Sequence, residues 1–133
     1  MRVECDKNDV TALEGAAVRE RIGRSVNLEG PLPDLVIGRE YVVQALEQRD
    51  GGVWFYLHTV PTNDYPFPYP AEMFEYRDNR LPSDWSVRLG QERGHVFWRR
   101  LTFSDWANDD GFYERLVDGD PDTVATYKAR AAE

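Results

Sequence analysis

The chain has 133 residues, of which 41% are hydrophobic and 13% aromatic, enough apolar material for one folded domain rather than a disordered segment. Its 24 acidic and 16 basic side chains give a formal net charge of −8, which argues against a protein that grips nucleic-acid backbones. The single cysteine, Cys5, excludes an internal disulfide and any zinc site built from several cysteines.

The first forty residues contain one expected strand and one ambiguous segment. Arg2 to Cys5 suits a short β-strand. Between Asp9 and Arg24 the apolar residues permit a short helix, but two glycines and the proline-rich stretch that follows permit an irregular excursion equally well. We treat residues 9–33 as an insertion in the β core, with both alternatives open.

Residues 40–60 form the clearest predicted element, a β-hairpin. Two runs rich in Val, Tyr, Trp and Phe flank Asp50, Gly51 and Gly52. These turn residues supply the positive φ angles that tight hairpins require. Both faces of the second run are largely apolar, so we expect its strand to be central in the sheet.

The next ten residues, Pro61 to Pro70, carry four prolines. Proline removes a ladder donor and fixes φ, which predicts a loop here. Tyr65, Phe67 and Tyr69 alternate with these prolines. Their rings either fold back onto the sheet or stand out as a contact surface for a partner, and both alternatives stay open.

Three further strands are predicted between the proline segment and the tail. Ala71 to Arg77 and Trp85 to Leu89 alternate well enough for strands. Gly90 to Gly94 is typical of a turn, and His95 to Leu101 is the last candidate strand.

The C-terminal tail is predicted to be helical. Ser104 suits the cap of a first helix, and Gly111 marks a point where that helix can divide in two. Gly119 suits a helix stop. Asp120 followed by Pro121 then indicates an N-cap with proline at the first position of a closing helix.

Several segments in the first part of the chain form a pattern of their own. They are an N-terminal strand with Val3 and Cys5, Ile37 to Val43, a hairpin ending in Tyr56, Tyr69 to Glu75, and Asp84 with Trp85. Over roughly residues 1–90, this order resembles the small SH3-like barrel proteins of bacteria and their phages. The resemblance implies a binding module, and small acidic proteins of similar look occur as immunity proteins paired with secreted bacterial toxins.

Taken together, the elements predict a mostly β protein of the α+β class. The expected sheet is a small SH3-like antiparallel barrel or a strongly bent sheet, with C-terminal helices. We expect a single domain over residues 1–133, with a β core over about 1–101 that holds the insertion at 9–33. The helical tail at 102–133 is expected to pack on that core.

No residue pattern in the chain is typical of an active site. His58 lies on the expected central strand, where a hydrogen-bonded structural role is favoured, and a pair of Cys5 with His58 has no local signature. Metal-binding His-x-x-x-His or Cys-x-x-Cys spacings, phosphate-binding glycine loops and nucleophile elbows are all missing from the sequence. We predict a protein that is not an enzyme, with no catalytic residue, no metal and no cofactor.

The tail carries the most one-sided charge in the chain. Between Ser104 and Asp122 lie seven acidic side chains and one basic side chain, a net of −6. Such a field steers a positively charged partner. The predicted partner-binding residues are Asp105, Asp109, Asp110, Glu114 and Asp118 from the tail, with Tyr65, Phe67 and Tyr69 from the proline segment.

Three functions remain open at this level. The first is an immunity-type protein that neutralises a basic bacterial toxin through its acidic surface. The second is a phage or bacterial adaptor or assembly module, and the third is a hydrolase with an unrecognised carboxylate site. Because the chain has no long apolar run and no signal-peptide pattern, we expect it in the cytoplasm and not in a membrane. We further expect a monomer or weak dimer that binds a protein and not nucleic acid.

Overall fold

The computed structural model describes residues 1–25, 31–94 and 96–131. His95, predicted to begin the last strand, and residues 26–30 of the predicted insertion lie outside this range. The longest helices within it have ten residues and carry charged side chains, so none has the length or apolarity to cross a membrane. The strands and helices of the described residues are β1 (Arg2–Cys5), α1 (Ala16–Ser25), β2 (Glu40–Arg49), β3 (Gly52–Leu57), β4 (Phe67–Pro70), β5 (Phe74–Asp78), β6 (Trp85–Glu92), β7 (Val96–Phe103), α2 (Ser104–Ala107), α3 (Phe112–Val117) and α4 (Pro121–Arg130).

The seven strands form one antiparallel sheet that branches at β2. The main path runs β4-β3-β2-β1-β5, and a branch leaves β2 through β7 to β6. The first part of β2 pairs with β1, with Val42 opposite Arg2, and its second part pairs with β7, with Leu46 opposite Leu101. The sheet is open, and the predicted mostly β, α+β class is confirmed.

The β2–β3 hairpin has the turn that the sequence predicts. Asp50 and Gly51 both have positive φ, 52° and 73°, as a two-residue hairpin turn requires. β3 pairs with β2 on one edge and with β4 on the other, so its predicted central position is confirmed. A register shift in β2 between Val43 and Ala45 turns the side chains that follow toward the opposite faces of the sheet.

The prediction of a loop over the whole of Pro61 to Pro70 is wrong for its second half. β4 lies there as an edge strand, with Tyr69 opposite Phe55 and Pro68 opposite Tyr56. Residues along an antiparallel strand alternate between hydrogen-bonded and non-hydrogen-bonded positions. Prolines at every second position fit the non-bonded sites, and an edge strand tolerates them.

Two other boundaries differ from the predictions. β6 continues to Glu92, so Gly90 lies inside a strand and not in a turn. A side chain at Gly90 would place its Cβ 1.9 Å from Cζ2 of Trp98, its cross-strand neighbour in β7. The glycine therefore makes room for the indole ring. The strand predicted from Ala71 begins only at Phe74, because residues 71–73 form a single 3-10 turn.

The helical tail follows most of its sequence signals. It divides at Gly111, and Gly119, with φ 79°, ends the second helix. The Asp120 carboxylate accepts a hydrogen bond of 3.0 Å from the Thr123 amide, which confirms the predicted cap of α4. The predicted cap at Ser104 is wrong: Ser104 is already the first helical residue, and no side chain caps α2.

Two clusters of buried side chains hold these elements together. The first joins the main sheet to residues 9–25, through side chains such as Val10, Leu13 and Ile22. The second joins the sheet to the helical tail and includes Ala45, Tyr56, Phe103, Trp106, Phe112, Leu116 and Tyr127. The predicted insertion and the predicted tail therefore both contribute to the core.

Candidate protein-binding surface

Two of the seven acidic side chains between Ser104 and Asp122 stabilise the tail itself. Arg115 Nη2 donates to Asp109 Oδ2 at 2.5 Å, and this hydrogen bond lowers the pKa of the Asp109 carboxyl. The pKa of the Asp120 carboxyl is lowered chiefly by a hydrogen bond of 2.6 Å from the hydroxyl of Thr123. The backbone amide of Thr123 donates to the same carboxylate and completes the helix cap. Both carboxylates are already occupied in stabilising helix ends and turns.

Two more tail carboxylates are paired with arginines that come from elsewhere. Arg100, in β7, donates from Nη1 to Asp110 at 3.1 Å, and Arg88, in β6, lies 3.8 Å from the same carboxylate. Asp105 lies 3.3 Å from Nε of Arg130 at the end of α4. Asp105, Asp109 and Asp110, three of the predicted partner-binding residues, are therefore partly neutralised inside the molecule.

The other three acids of this stretch, Glu114, Asp118 and Asp122, are exposed, and their carboxylates have no hydrogen-bond or ion-pair partner among the described residues. Glu114 and Asp118 lie about one helical turn apart. Together with Tyr113 and Val117 they line a shallow depression of about 330 Å³. Val117 is 39% exposed. Val117 therefore contributes apolar surface to this depression, next to the fully buried Leu116.

Tyr69 in the proline segment belongs to the core. It is 8% exposed, and its hydroxyl lies 2.7 Å from Oγ1 of Thr59. Burial raises the pKa of Tyr69. Its ring meets the Phe74 ring edge to face, with 6.4 Å between centroids. This packing removes Tyr69 from the predicted partner-binding residues.

Tyr65 and Phe67 are half-buried and pack against each other, with 5.2 Å between their ring centroids. The hydroxyl of Tyr113, in α3, donates to the carbonyl of Pro66 at 2.8 Å. The segment therefore lies between the sheet and the tail, and Tyr65 and Phe67 expose only part of each ring. The acidic surface at Glu114 starts beside them, because Tyr113 and Glu114 are neighbours.

The largest exposed apolar side chains of β6 and β7 form a surface that the sequence reasoning missed. Val87 is 57% exposed, Leu89 67% and Phe97 69%. Strand alternation places all three on one face of the β6–β7 pair, since Gln91 opposes Phe97 and Leu89 opposes Arg99. The available signal was the pair of arginines after Trp98, which indicates that part of this sheet meets water.

The opposite face of the same two strands borders a groove of about 790 Å³. Some of its charged groups are paired with one another: Glu47 lies 2.8 Å from Nε of Arg49 and 3.4 Å from Nε of Arg100. The guanidinium of Arg100 covers the Trp98 ring at 4.8 Å. The lining holds four acids, Glu47, Asp50, Glu92 and Asp110, against two arginines, Arg49 and Arg100, so its charge is mixed with an acidic excess.

His58 has a structural environment. Its Nε2 lies 2.5 Å from the hydroxyl of Tyr127, and burial lowers the pKa of the imidazole. Cys5 is buried in the first core cluster, where burial raises the pKa of its thiol. Across the described ranges, no three or more His, Cys, Asp or Glu side chains are grouped so that they could hold a metal ion.

A comparison of the chain with protein-family models, with curated proteins and with solved structures found no match. The argument for a function therefore depends on the chemistry of these surfaces.

Proposed function

We propose that this protein is a non-enzymatic binding module of the immunity type, which covers a basic surface on a protein partner such as a bacterial toxin domain. The observation that carries the proposal is the surface of α3, where the unpaired Glu114 and Asp118 flank the exposed Val117. An apolar centre with a charged rim is typical of protein interfaces.

Charge supports a basic partner. The net charge of −8 gives the whole molecule a negative field. Of the tail acids, Glu114, Asp118 and Asp122 add to that field, and none of the three has an ion-pair partner among the described residues. Such charges chiefly raise the rate of association and the specificity for a partner of opposite sign.

The resemblance of the sequence to SH3-like barrel proteins also supports a binding role, although a fold by itself does not determine a function. In this proposal the protein acts in the bacterial cytoplasm, where an immunity protein meets its toxin. It binds neither nucleic acid nor membrane and needs no cofactor.

Charge reversal on α3 tests the proposal. Glu114→Lys with Asp118→Lys brings the net charge from −8 to −4, since each substitution adds two units. Glu14→Lys with Glu20→Lys, at two exposed acids of the N-terminal segment, makes the same change elsewhere and is the matched control. The probe is the product of the gene next to this one, co-expressed and purified at low and at moderate salt.

We expect wild type and the control to retain one basic partner in equal amounts, and the α3 variant to bind it about tenfold more weakly or worse. Equal weakening by both double variants would assign the effect to net charge and contradict an α3 interface. An acidic partner, or a neighbouring gene product that does not bind at either salt, would contradict the immunity role itself.

A second candidate function, an adaptor or assembly module, is favoured by a different observation. β6 is an eight-residue edge strand with Val87 and Leu89 exposed. A module of this kind adds a strand of its target to its own sheet. Its binding would be insensitive to the Glu114 and Asp118 reversals, and this insensitivity separates the two functions. The hydrolase alternative has no geometric observation in its favour.

A further inference from the structure

β6 leaves one edge of the sheet open to backbone pairing. It pairs with β7 along its whole length, and its outer edge meets no other strand in the part of the chain that the structure describes. It has eight residues and no proline. Long edge strands without such protection pair readily with another chain.

The charges on β6 are arranged symmetrically about its glycine. Side chains at alternate positions of a strand share a face, so Arg88, Gly90 and Glu92 lie on one face. Arg88 comes two residues before Gly90, and Glu92 comes two residues after it. The side chain of Arg88 is 44% exposed and lies 3.8 Å from its intramolecular partner, Asp110, so it can also reach a charge across the strand edge.

We propose that β6 pairs antiparallel with β6 of a second copy of this chain, around a two-fold axis at Gly90. In this register Arg88 of each copy lies opposite Glu92 of the other, so two ion pairs form across the joined edge. Leu89 of each copy lies opposite Gln91 of the other. The two sheets become one continuous sheet with an isologous interface.

Charge selects this register over its neighbours. Residues that lie opposite each other in the joined sheet must be on the same face. A two-fold axis perpendicular to the sheet meets this condition only where it lies midway between a residue and the same residue of the other copy. An axis at Arg88 would set the two arginines against each other. An axis at Leu89 would set Arg88 against Gly90 and leave its charge unpaired. Only the axis at Gly90 gives opposite charges on both sides.

The apolar face of β6 gains contacts in the same arrangement. Leu89 of one copy becomes the diagonal neighbour of Leu89 of the other. Phe97, one strand further in, borders the joined surface. The paired part of β6 runs from Arg88 to Glu92 in each copy. Such an interface is small, so we expect a weak dimer whose formation depends on concentration.

The dimer is independent of the proposed function. It uses β6, whereas the immunity proposal uses Glu114 and Asp118 of α3. Charge reversal at one surface leaves the other intact, so either proposal can fail alone.

Complementary charge reversal tests the pairing in the full chain. Arg88→Glu gives each copy two acids at these positions, and Glu92→Arg gives each copy two arginines, so each variant repels itself in the proposed register. Mixed together, the two variants form two opposite-charge pairs in a heterodimer. The double variant with both substitutions restores the pairs within one protein. The measurement is sedimentation equilibrium from micromolar to millimolar protein at physiological salt, which screens the repulsion between two molecules of charge −8.

We expect the mean mass of the wild type to rise from 15.4 kDa toward twice that value. Each single variant should stay monomeric at least about tenfold higher in concentration, and the mixture and the double variant should recover the wild-type curve. Circular dichroism confirms that each variant is folded, and Arg88→Gln, which removes the charge without reversing it, should give an intermediate curve. A wild type that stays monomeric at millimolar concentration, or single variants that dimerise like the wild type, would overturn the proposal.

Discussion

β4 and β6 are both edge strands of the sheet, but they differ in length, in proline content and in the apolar surface that they expose. β4 is short and carries Pro68 and Pro70, and Tyr69 between them is buried. β6 is twice as long, carries no proline, and exposes Leu89 to 67%. A proline at every second position removes donors that another chain could use, and a buried ring removes apolar surface. The β4 edge is therefore closed to association by its own sequence, and the β6 edge is open.

The helical tail increases this difference. At the β4 end, Tyr113 bonds to the Pro66 carbonyl, and Lys128 lies 3.0 Å from Asp64 in the preceding loop. At the β6 end, the tail packs on the strand through α2, near its half-buried first residues, and its Asp110 lies 3.8 Å from Arg88. The tail thus protects the β4 edge of the sheet and leaves most of the β6 edge accessible to partners.

Truncation of Tyr69 should have the largest effect on stability. Tyr69→Ala removes a buried ring and its hydrogen bond, and we expect it to lower the free energy of unfolding by about 3–5 kcal/mol. Tyr69→Phe keeps the ring and should cost about 1 kcal/mol. Leu89→Ala, the matched change on β6, should stay within about 0.5 kcal/mol of wild type. Denaturant unfolding of the three variants measures these values, and similar losses for Tyr69→Ala and Leu89→Ala would contradict the contrast between the edges.

An intermediate effect is expected at Gly90, where β6 depends on its neighbour β7 and not on the tail. In Gly90→Ala the new methyl group meets the Trp98 ring, and we expect a loss of about 1–3 kcal/mol. In a protein that already carries Trp98→Ala, Gly90→Ala should not lower the free energy of unfolding further and should raise it slightly, because glycine is unfavourable inside a strand. A double-mutant cycle by denaturant unfolding measures the coupling. Additive losses would show that the indole ring does not lie over Gly90.

The smallest effect concerns His58, which ties the β3–β4 end of the sheet to Tyr127. Burial lowers the pKa of His58 below its usual 6.5, against a smaller opposing effect of Asp64. The unfolded chain therefore binds this proton more readily, so the contribution of His58 is complete above the usual pKa and is lost as the pH falls below it. Thermal unfolding between about pH 7.5 and 5 should show a shallower decline for His58→Gln than for wild type. Parallel curves would mean that His58 does not titrate differently on folding.

Local signals predicted the elements that depend on local chemistry. The turn at Asp50 and Gly51 and the cap at Asp120 follow from backbone preferences within a few residues, and both are confirmed. The β4 strand escaped prediction because proline statistics describe the interior of a sheet, and only the final arrangement of strands makes residues 67–70 an edge. Gly90 was misread for a similar reason, since its partner, Trp98, is eight residues away.

The candidate surface was only partly predictable. Counting acids in the tail identified Glu114 and Asp118, but it also included Asp110, whose partners Arg88 and Arg100 come from two other strands. A charge count along the chain cannot show which carboxylates are paired, because the pairing depends on contacts between distant residues. The exposed side chains of β6 were missed because alternation predicts which residues share a face without showing whether that face is covered.

The sequence alone therefore determined the class of fold, the hairpin turn, the cap of α4 and the excess of negative charge. These depend on local backbone preferences and on composition. Only the tertiary structure decided which edge of the sheet is closed, which carboxylates remain unpaired, and that Val87, Leu89 and Phe97 face water. Those properties arise when strands distant in sequence become neighbours, because burial and ion pairing depend on the distance between residues in space.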